Sequence, residues 1–476
     1  MEYANLTAIE IAESIRAKKM TCVEITQYYL SQIEKYKDKN AVLEVFYDAI
    51  SNAKKIDEKV ASGEHLGALI GVPILIKDNI MYKGHISSSA SKILEHYVAP
   101  YTATALSRLL QEGVVVLGRT NMDEFAMGGS CENSAYGPCK NAHNDKYVSG
   151  GSSGGSAVAV ALDMCAFALG SDTGGSIRQP SSYNGVVGLK PTYGRVSRYG
   201  LTAYADSLDT LGPITKNVDD NALILSIMAG KDSKDMTSSP VKVDDYLHSI
   251  ENSIKGKKIA IIKEVQELVD KTDYAHVYQQ IVDFCQEHGA FVTKCSIPEY
   301  KSILPTYYTL AMAEASSNLS RIDGIRYGDR GDENETISDI YTSTRTKLFG
   351  KEVKRRIMLG NFVLSSTHYN SYYSKAKKVA TFMQNKFAEV FDFCDLIFMP
   401  TSFGEPFEIG SKVSDPVSMY IEDMFTVTAN ILGVPAISVP VGTGSHGLPI
   451  GLQILSKHFG ESEIYNMAKF IMSRGE

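Results

Sequence analysis

The sequence predicts an α/β protein with a large mixed, mostly parallel central sheet covered by helices, preceded by N-terminal helices. Three observations carry that expectation. From about residue 67, short apolar runs alternate with helical stretches, GVPILIKDNI, then TATALSRLLQEG, then VVVLGRT, as βαβ units do. In the first sixty residues the apolar positions recur at helical spacing, and Thr7 with Glu10 and Thr21 with Glu24 stand at the spacing of capping boxes. The 476 residues are 44% hydrophobic and 22% charged, an ordinary globular balance with chain enough for a substantial core. Length alone admits about three domains. We expect one unit, 1–476, in which a helical lead-in at 1–66 packs on a main domain at 67–476.

Further along, the apolar stretch AVAVALDMCAFAL is flanked by Gly- and Ser-rich loops, GGSSGGS before it and GSDTGGS after it. Low complexity alone would mark a flexible linker. Loops pinned to both ends of a packed helix and strand are no linker. KKIAIIK, FVTKCSI, DLIFMPTS, AISVPVG and PIGLQIL predict later strands, and helices are predicted around 274–288, 302–321 and 370–393. The charged segment RYGDRGDENET at 326–336 is expected to be a solvated loop. No repeat of 20 to 50 residues stands out.

Several function classes are disfavoured. No apolar run approaches the roughly 18 residues of a membrane span, and the first residues lack the basic, then apolar, then small-residue layout of a secretory signal. A cytoplasmic setting is expected, or an organellar one in a eukaryotic source. The seven cysteines include no CxxC pair, which suggests buried free thiols rather than a disulfide framework or a zinc site. A net charge of −7 does not suit a surface that grips a phosphate backbone. The basic run from Lys351 to Arg356 is the local exception. No GxxxxGK[ST] phosphate loop is present.

The chemistry points to serines in glycine-rich loops, because a nucleophilic hydroxyl needs a base beside it and free N–H groups for an oxyanion. Ser152 is centred in a GxSxG pattern, which invites an esterase-like nucleophile elbow. An elbow follows an apolar strand, whereas CKNAHNDKYVSG before it is polar, and His368, His446 and His458 lie in no motif. Ser176 follows the apolar MCAFALG, at the strand-to-loop position where α/β proteins place reactive groups. Thr173, Gly174 and Gly175 precede it and could aim N–H groups, with that of Ser176, at one point. Lys77 sits inside the apolar VPILIKDNI. A solvent-facing edge lysine is the plain reading, with Asp78 as its ion-pair partner. In an apolar wall, however, desolvation lowers an ammonium pKa and frees the amine as a base. Arg178 either positions a substrate or braces the loop, and bracing is favoured.

These residues resemble the amidase-signature family. The segment around Lys77, the GGSSGGS loop at 150–156 and SDTGGSIRQPSSYNGVVGLKPTYGRVSRYG at 171–200 look like that family's signature, with Ser176 twenty-four positions after Ser152 as in its pattern. The resemblance implies the amidase-signature fold and a Ser-cisSer-Lys set: Ser176 as acyl-ester nucleophile, Ser152 as bridging serine after a cis peptide, and Lys77 as general base. The N–H groups of Thr173, Gly174, Gly175 and Ser176 would form the oxyanion hole.

EASSNLSRIDGIRYG at 314–328, FGKEVKRRIMLG at 349–360 and YIEDMFTVTANILGVPAISVP at 420–440 resemble one branch of the family, the A subunits of ATP-dependent amidotransferases that convert Glu-tRNA(Gln) to Gln-tRNA(Gln). That branch hydrolyses free glutamine. It implies Arg356 on the substrate carboxylate, Asp423 on its ammonium, and a tyrosine of PTYYTL, Tyr307 rather than Tyr308, lining the pocket. It also implies B and C partner subunits, tRNA held mainly by a partner, ATP and Mg used by the partner, and no metal or cofactor in this chain. The alternatives are a stand-alone amidase for small amides, an esterase built on Ser152, and a catalytically idle scaffold.

Overall fold

The computed structural model describes residues 3–251, 253–272, 274–331 and 336–475. The strands are β1 (Val42–Val45), β2 (Pro73–Lys77), β3 (Val115–Thr120), β4 (Phe167–Asp172), β5 (Val187–Lys190), β6 (Thr210–Thr215), β7 (Lys258–Ile262), β8 (Phe291–Cys295), β9 (Leu396–Pro400), β10 (Ala436–Thr443) and β11 (Pro449–Ser456). Among the described residues they form one eleven-stranded sheet in the order β1-β3-β2-β4-β6-β5-β10-β11-β9-β7-β8.

The expected large mixed sheet covered by helices is present. Parallel pairing occupies two blocks, β3-β2-β4 and β9-β7-β8. The other six pairings are antiparallel, a larger share than the alternating pattern suggests, partly because β10 and β11 close a direct hairpin. The turn of that hairpin is GTGSHG at 442–447, which fits GxGxxG by spacing but opens no helix.

Every residue of β2 and β4 is buried, as are Gly154 to Val160 of the helix Gly154–Ala161 beside them. Continuous apolar runs belong to parallel strands covered on both faces. Lys77 and Asp172 are the last residues of β2 and β4, so both stand at the carboxyl ends of neighbouring parallel strands, where open α/β sheets present their sites.

At the amino end, the helices Ala8–Arg16 and Cys22–Lys35 carry both predicted capping boxes, Thr7 with Glu10 and Thr21 with Glu24. Their inner faces, including Ile11, Ile15, Ile25 and Tyr29, join the main core. Asp220 accepts the N–H groups of Ala8 and Ile9 at 2.8 and 3.1 Å, fastening the first helix start to a segment two hundred residues away. The lead-in is not wholly helical. Val42–Val45 forms the edge strand β1, antiparallel to β3, because the extended stretch finds an open strand edge to pair with.

All seven cysteines are free, and only Cys295 is partly exposed. The 326–336 loop is described up to 331 and at 336, with Arg326, Tyr327 and Arg330 exposed, while 332–335 lie outside the described residues. Among the described residues no helix is long and apolar enough to cross a membrane.

Candidate active site

Lys77 is completely buried, and its Nζ lies 2.7 Å from Ser152 Oγ, 2.9 Å from Ser153 Oγ and 2.9 Å from Ser171 Oγ, with the Ser171 carbonyl at 3.2 Å. Burial lowers its pKa to about 7, against the opposing pull of Asp123, Cys131, Asp172 and Asp209. The plain reading, with Asp78 as its partner, is overturned. Successive side chains alternate across a strand, and Asp78 sits on the far side, paired with Arg119 at 2.8 Å and accepting from Ser88 Oγ at 2.5 Å.

Ser152 follows a cis Gly151–Ser152 peptide and precedes the helix Gly154–Ala161. The residues before it form loop and turn rather than a strand, so the elbow lacks its strand. His446 is exposed beside Glu405, and His368 bonds Ser365, both away from Ser152. The Ser153 N–H donates to the Ser176 carbonyl at 3.0 Å, which seats the two serine loops against each other. Among the described residues no hydrogen bond joins the Ser152 and Ser176 hydroxyls; such contacts often tighten only around substrate.

Arg178 is fully buried and grips Asp172 through both Nε and Nη2, at 3.0 and 2.9 Å. It also donates to the Thr426 carbonyl at 2.8 Å, to Asn430 Oδ1 at 2.7 Å and to Gln453 Oε1. Bracing is therefore its geometry. Burial opposes the charge of Asp172, yet Arg178, Lys190 and Asn430 hold its carboxyl below the usual range. Asp172 in turn accepts the N–H groups of Gly175 at 3.0 Å and Ile177 at 3.2 Å. That corrects the expected four-donor oxyanion set, because the Gly175 N–H is already spent. At φ +130° Gly175 occupies a region that other residues rarely adopt, and a Cβ there would meet Thr426 Oγ1 at 2.3 Å.

Arg356, Tyr307 and Tyr308 are buried and Asp423 is partly exposed, and the four come together beside this loop. Arg356 is no surface ion pair: it lies over the rings of Tyr204, Tyr308 and Tyr420 at 5.4 to 5.6 Å. Its Nη1 donates to Tyr204 OH at 2.6 Å, and its Nε to Glu352 Oε1 at 2.8 Å. Tyr420 OH donates to the same oxygen at 2.8 Å. Tyr308 OH donates to Asp423 Oδ2 at 2.5 Å, while Tyr307 abuts the nucleophile loop, its OH 2.3 Å from where a Cβ on Gly174 would stand. Both tyrosines thus line the site, on different sides. Burial raises the Asp423 carboxyl to about 7, despite Tyr308 and Arg356.

The basic run from Lys351 does not form a patch, since Arg356 turns inward and Arg355 pairs with Glu352. Ser153, Ser171, Asp172, Tyr204, Asp209, Glu352 and Tyr420 also build the site; all but Tyr204 and Asp209 lie within the segments that carry the family resemblance, but the sequence alone assigned none of them a role. Among the described residues no cluster of three or more His, Cys, Asp or Glu could hold a metal ion.

The chain belongs to the amidase family, whose model (Amidase) it matches over residues 24–465, and a buried lysine of lowered pKa behind a serine, with a second serine loop seated against it at the rim of a sheet, fits that class. Within that class it is 48% identical to the A subunit of the glutamyl-tRNA(Gln) amidotransferase from Thermoanaerobacter pseudethanolicus, over 98% of this chain and 96% of that protein. It is 52% identical to the protein of the same name from Bacillus pumilus, over 87% and 86%. Among solved structures, the A subunit of the glutamyl-tRNA(Gln) amidotransferase from Thermotoga maritima superposes with a TM-score of 0.81 at 37% identity, covering 99% of this chain and 95% of that one. The peptide amidase of Stenotrophomonas maltophilia superposes at 0.83 with 27% identity, covering 99% and 97%.

Proposed function

We propose that the chain hydrolyses free glutamine to glutamate and ammonia, as the A component of an ATP-dependent amidotransferase that converts Glu-tRNA(Gln) to Gln-tRNA(Gln). The observation that carries the chemistry is the fully buried Lys77, Nζ 2.7 Å from Ser152 Oγ, with its pKa lowered to about 7. Neutral Lys77 takes a proton from Ser152, Ser152 takes one from Ser176, and Ser176 Oγ bonds to the amide carbon of glutamine. The N–H groups of Thr173, Gly174 and Ser176 hold the oxyanion; the relay returns a proton to the leaving nitrogen, and ammonia departs. Water then enters by the same relay and releases glutamate from the acyl-enzyme. Arg356 offers a cation to the α-carboxylate and Asp423 an anion to the α-ammonium, with Tyr307 and Tyr308 as walls.

The ammonia passes to a partner subunit, which uses ATP and Mg to activate the misacylated tRNA, and a small third subunit completes the complex, so residues 1–476 act as one catalytic unit within it. The near relatives that carry the amidotransferase name over almost their whole length support this reading.

The test is glutamine- and ATP-dependent amidation of Glu-tRNA(Gln) by the chain with its copurifying partners. Ser176→Ala should abolish conversion with glutamine and leave it intact with added ammonia. Hydrolysis of simple amides without tRNA amidation would keep the amidase and remove the tRNA-linked role. Activity that survives Ser176→Ala would remove both.

A further inference from the structure

One buried polar group beside the site has no partner. Gln179 is fully buried, three residues beyond Ser176, and its Oε1 accepts the Gly151 N–H at 2.9 Å. That bond decides which way the amide faces, because only the oxygen can accept it. The Nε2 end therefore points the other way, and among the described residues it makes no hydrogen bond. It faces Gly129: a carbon placed on that glycine would stand 3.6 Å from Gln179 Nε2 and 3.4 Å from Asp423 Oδ1. Asp423 Oδ2 is taken by Tyr308, so its Oδ1 is the oxygen turned to this point. A donor and an acceptor thus flank one opening. A buried amide N–H left unpaired costs free energy, so a group that pairs with it on binding contributes strongly.

We propose that Gln179 is a specificity-determining residue whose Nε2 donates to the α-carboxylate of an amino-acid amide while Asp423 takes the neighbouring α-ammonium. A zwitterion presents an acceptor and a donor on adjacent atoms, which matches this pair. The anchor on Gly151 links recognition to the loop that carries Ser152. The inference rests on the glutaminase reading, and it adds a second carboxylate contact to Arg356.

The experiment measures ammonia release by the complex from three substrates: L-glutamine, glutaramate, which lacks the ammonium, and 4-aminobutanamide, which lacks the carboxylate. Gln179→Glu keeps an acceptor for Gly151 and loses the donor; Gln179→Met loses the donor without adding charge, and loses the Gly151 anchor with it. Both should raise KM for L-glutamine and glutaramate roughly tenfold or more, the scale of a lost hydrogen bond to a charged group. The KM for 4-aminobutanamide should stay within about threefold in both variants, and kcat for all three substrates within about threefold in Gln179→Glu, which keeps the anchor. An equal fall in kcat on all three substrates with KM unchanged would mean that Gln179 only braces Gly151, and would overturn the proposal. So would wild-type constants in both variants. A wild-type complex that hydrolyses none of the three, or a Ser176→Ala complex that still hydrolyses them, would instead remove the underlying reading.

Discussion

Two ionisable groups of the site, the buried Lys77 and the partly exposed Asp423, share a titration range. Burial brings Lys77 down to about 7 and lifts Asp423 to about 7. In the proposed mechanism the relay needs Lys77 neutral and the ammonium clamp needs Asp423 charged, so both must lose a proton in the free enzyme. Activity is therefore lost on the acid side. A plot of log kcat/KM for glutamine should rise below pH 7 with a limiting slope approaching about two, since this parameter reports free-enzyme groups. Asp423→Asn should reduce that slope to about one while raising KM, and a wild-type slope of one would show that only one group gates the reaction. Lys77, Ser152 and Ser176 were legible in the sequence because each lies in a short, chemically unusual context: a lysine in an apolar strand, and serines among glycines. Tyr204, Tyr420, Glu352 and Gln179 were given no role, although the last three lie inside the segments that carry the resemblance, because what they touch depends on segments that meet only after folding. Nothing local to Tyr204 or Tyr420 shows that it will lie over Arg356.

Elements differ in how plainly they announce themselves. The helix Cys22–Lys35 was readable at its first turn, where Thr21 Oγ1 accepts the Glu24 N–H at 3.1 Å and Glu24 accepts the Thr21 N–H at 2.8 Å. Thr21→Ala should cost about 1 kcal/mol of stability, seen as a lower denaturant midpoint, with kcat for glutamine unchanged because this cap is remote from Lys77. Strands were readable where apolar runs were long, as in β2, β7 and β11. β6 was not foreseen, since Gly212 and Pro213 interrupt it and proline ordinarily argues against an interior strand. β5 has only four residues. β1 is stabilised by pairing with β3, a partner more than seventy residues away, and so left no local period to find.

For the whole molecule, the buried Arg178 matters most, because it ties its own loop to two distant segments. It holds Asp172 at the end of β4, the Thr426 carbonyl, Asn430 on the helix Val427–Leu432, and Gln453 on β11. Arg178→Ala would leave the Asp172 carboxylate buried without its cation, and should cost about 3–5 kcal/mol. Chemical denaturation checks this, and a loss below about 1 kcal/mol would show that the other partners suffice.

The same three-way tie is completed in stages along the chain. As the polypeptide emerges from the ribosome, both serines and the lysine are made within the first two hundred residues, and Asp172 can already hold the Gly175 and Ile177 N–H groups. Thr426, Asn430 and Gln453 follow some two hundred and fifty residues later. The nucleophile loop can therefore form locally long before it is locked to the far side of the sheet.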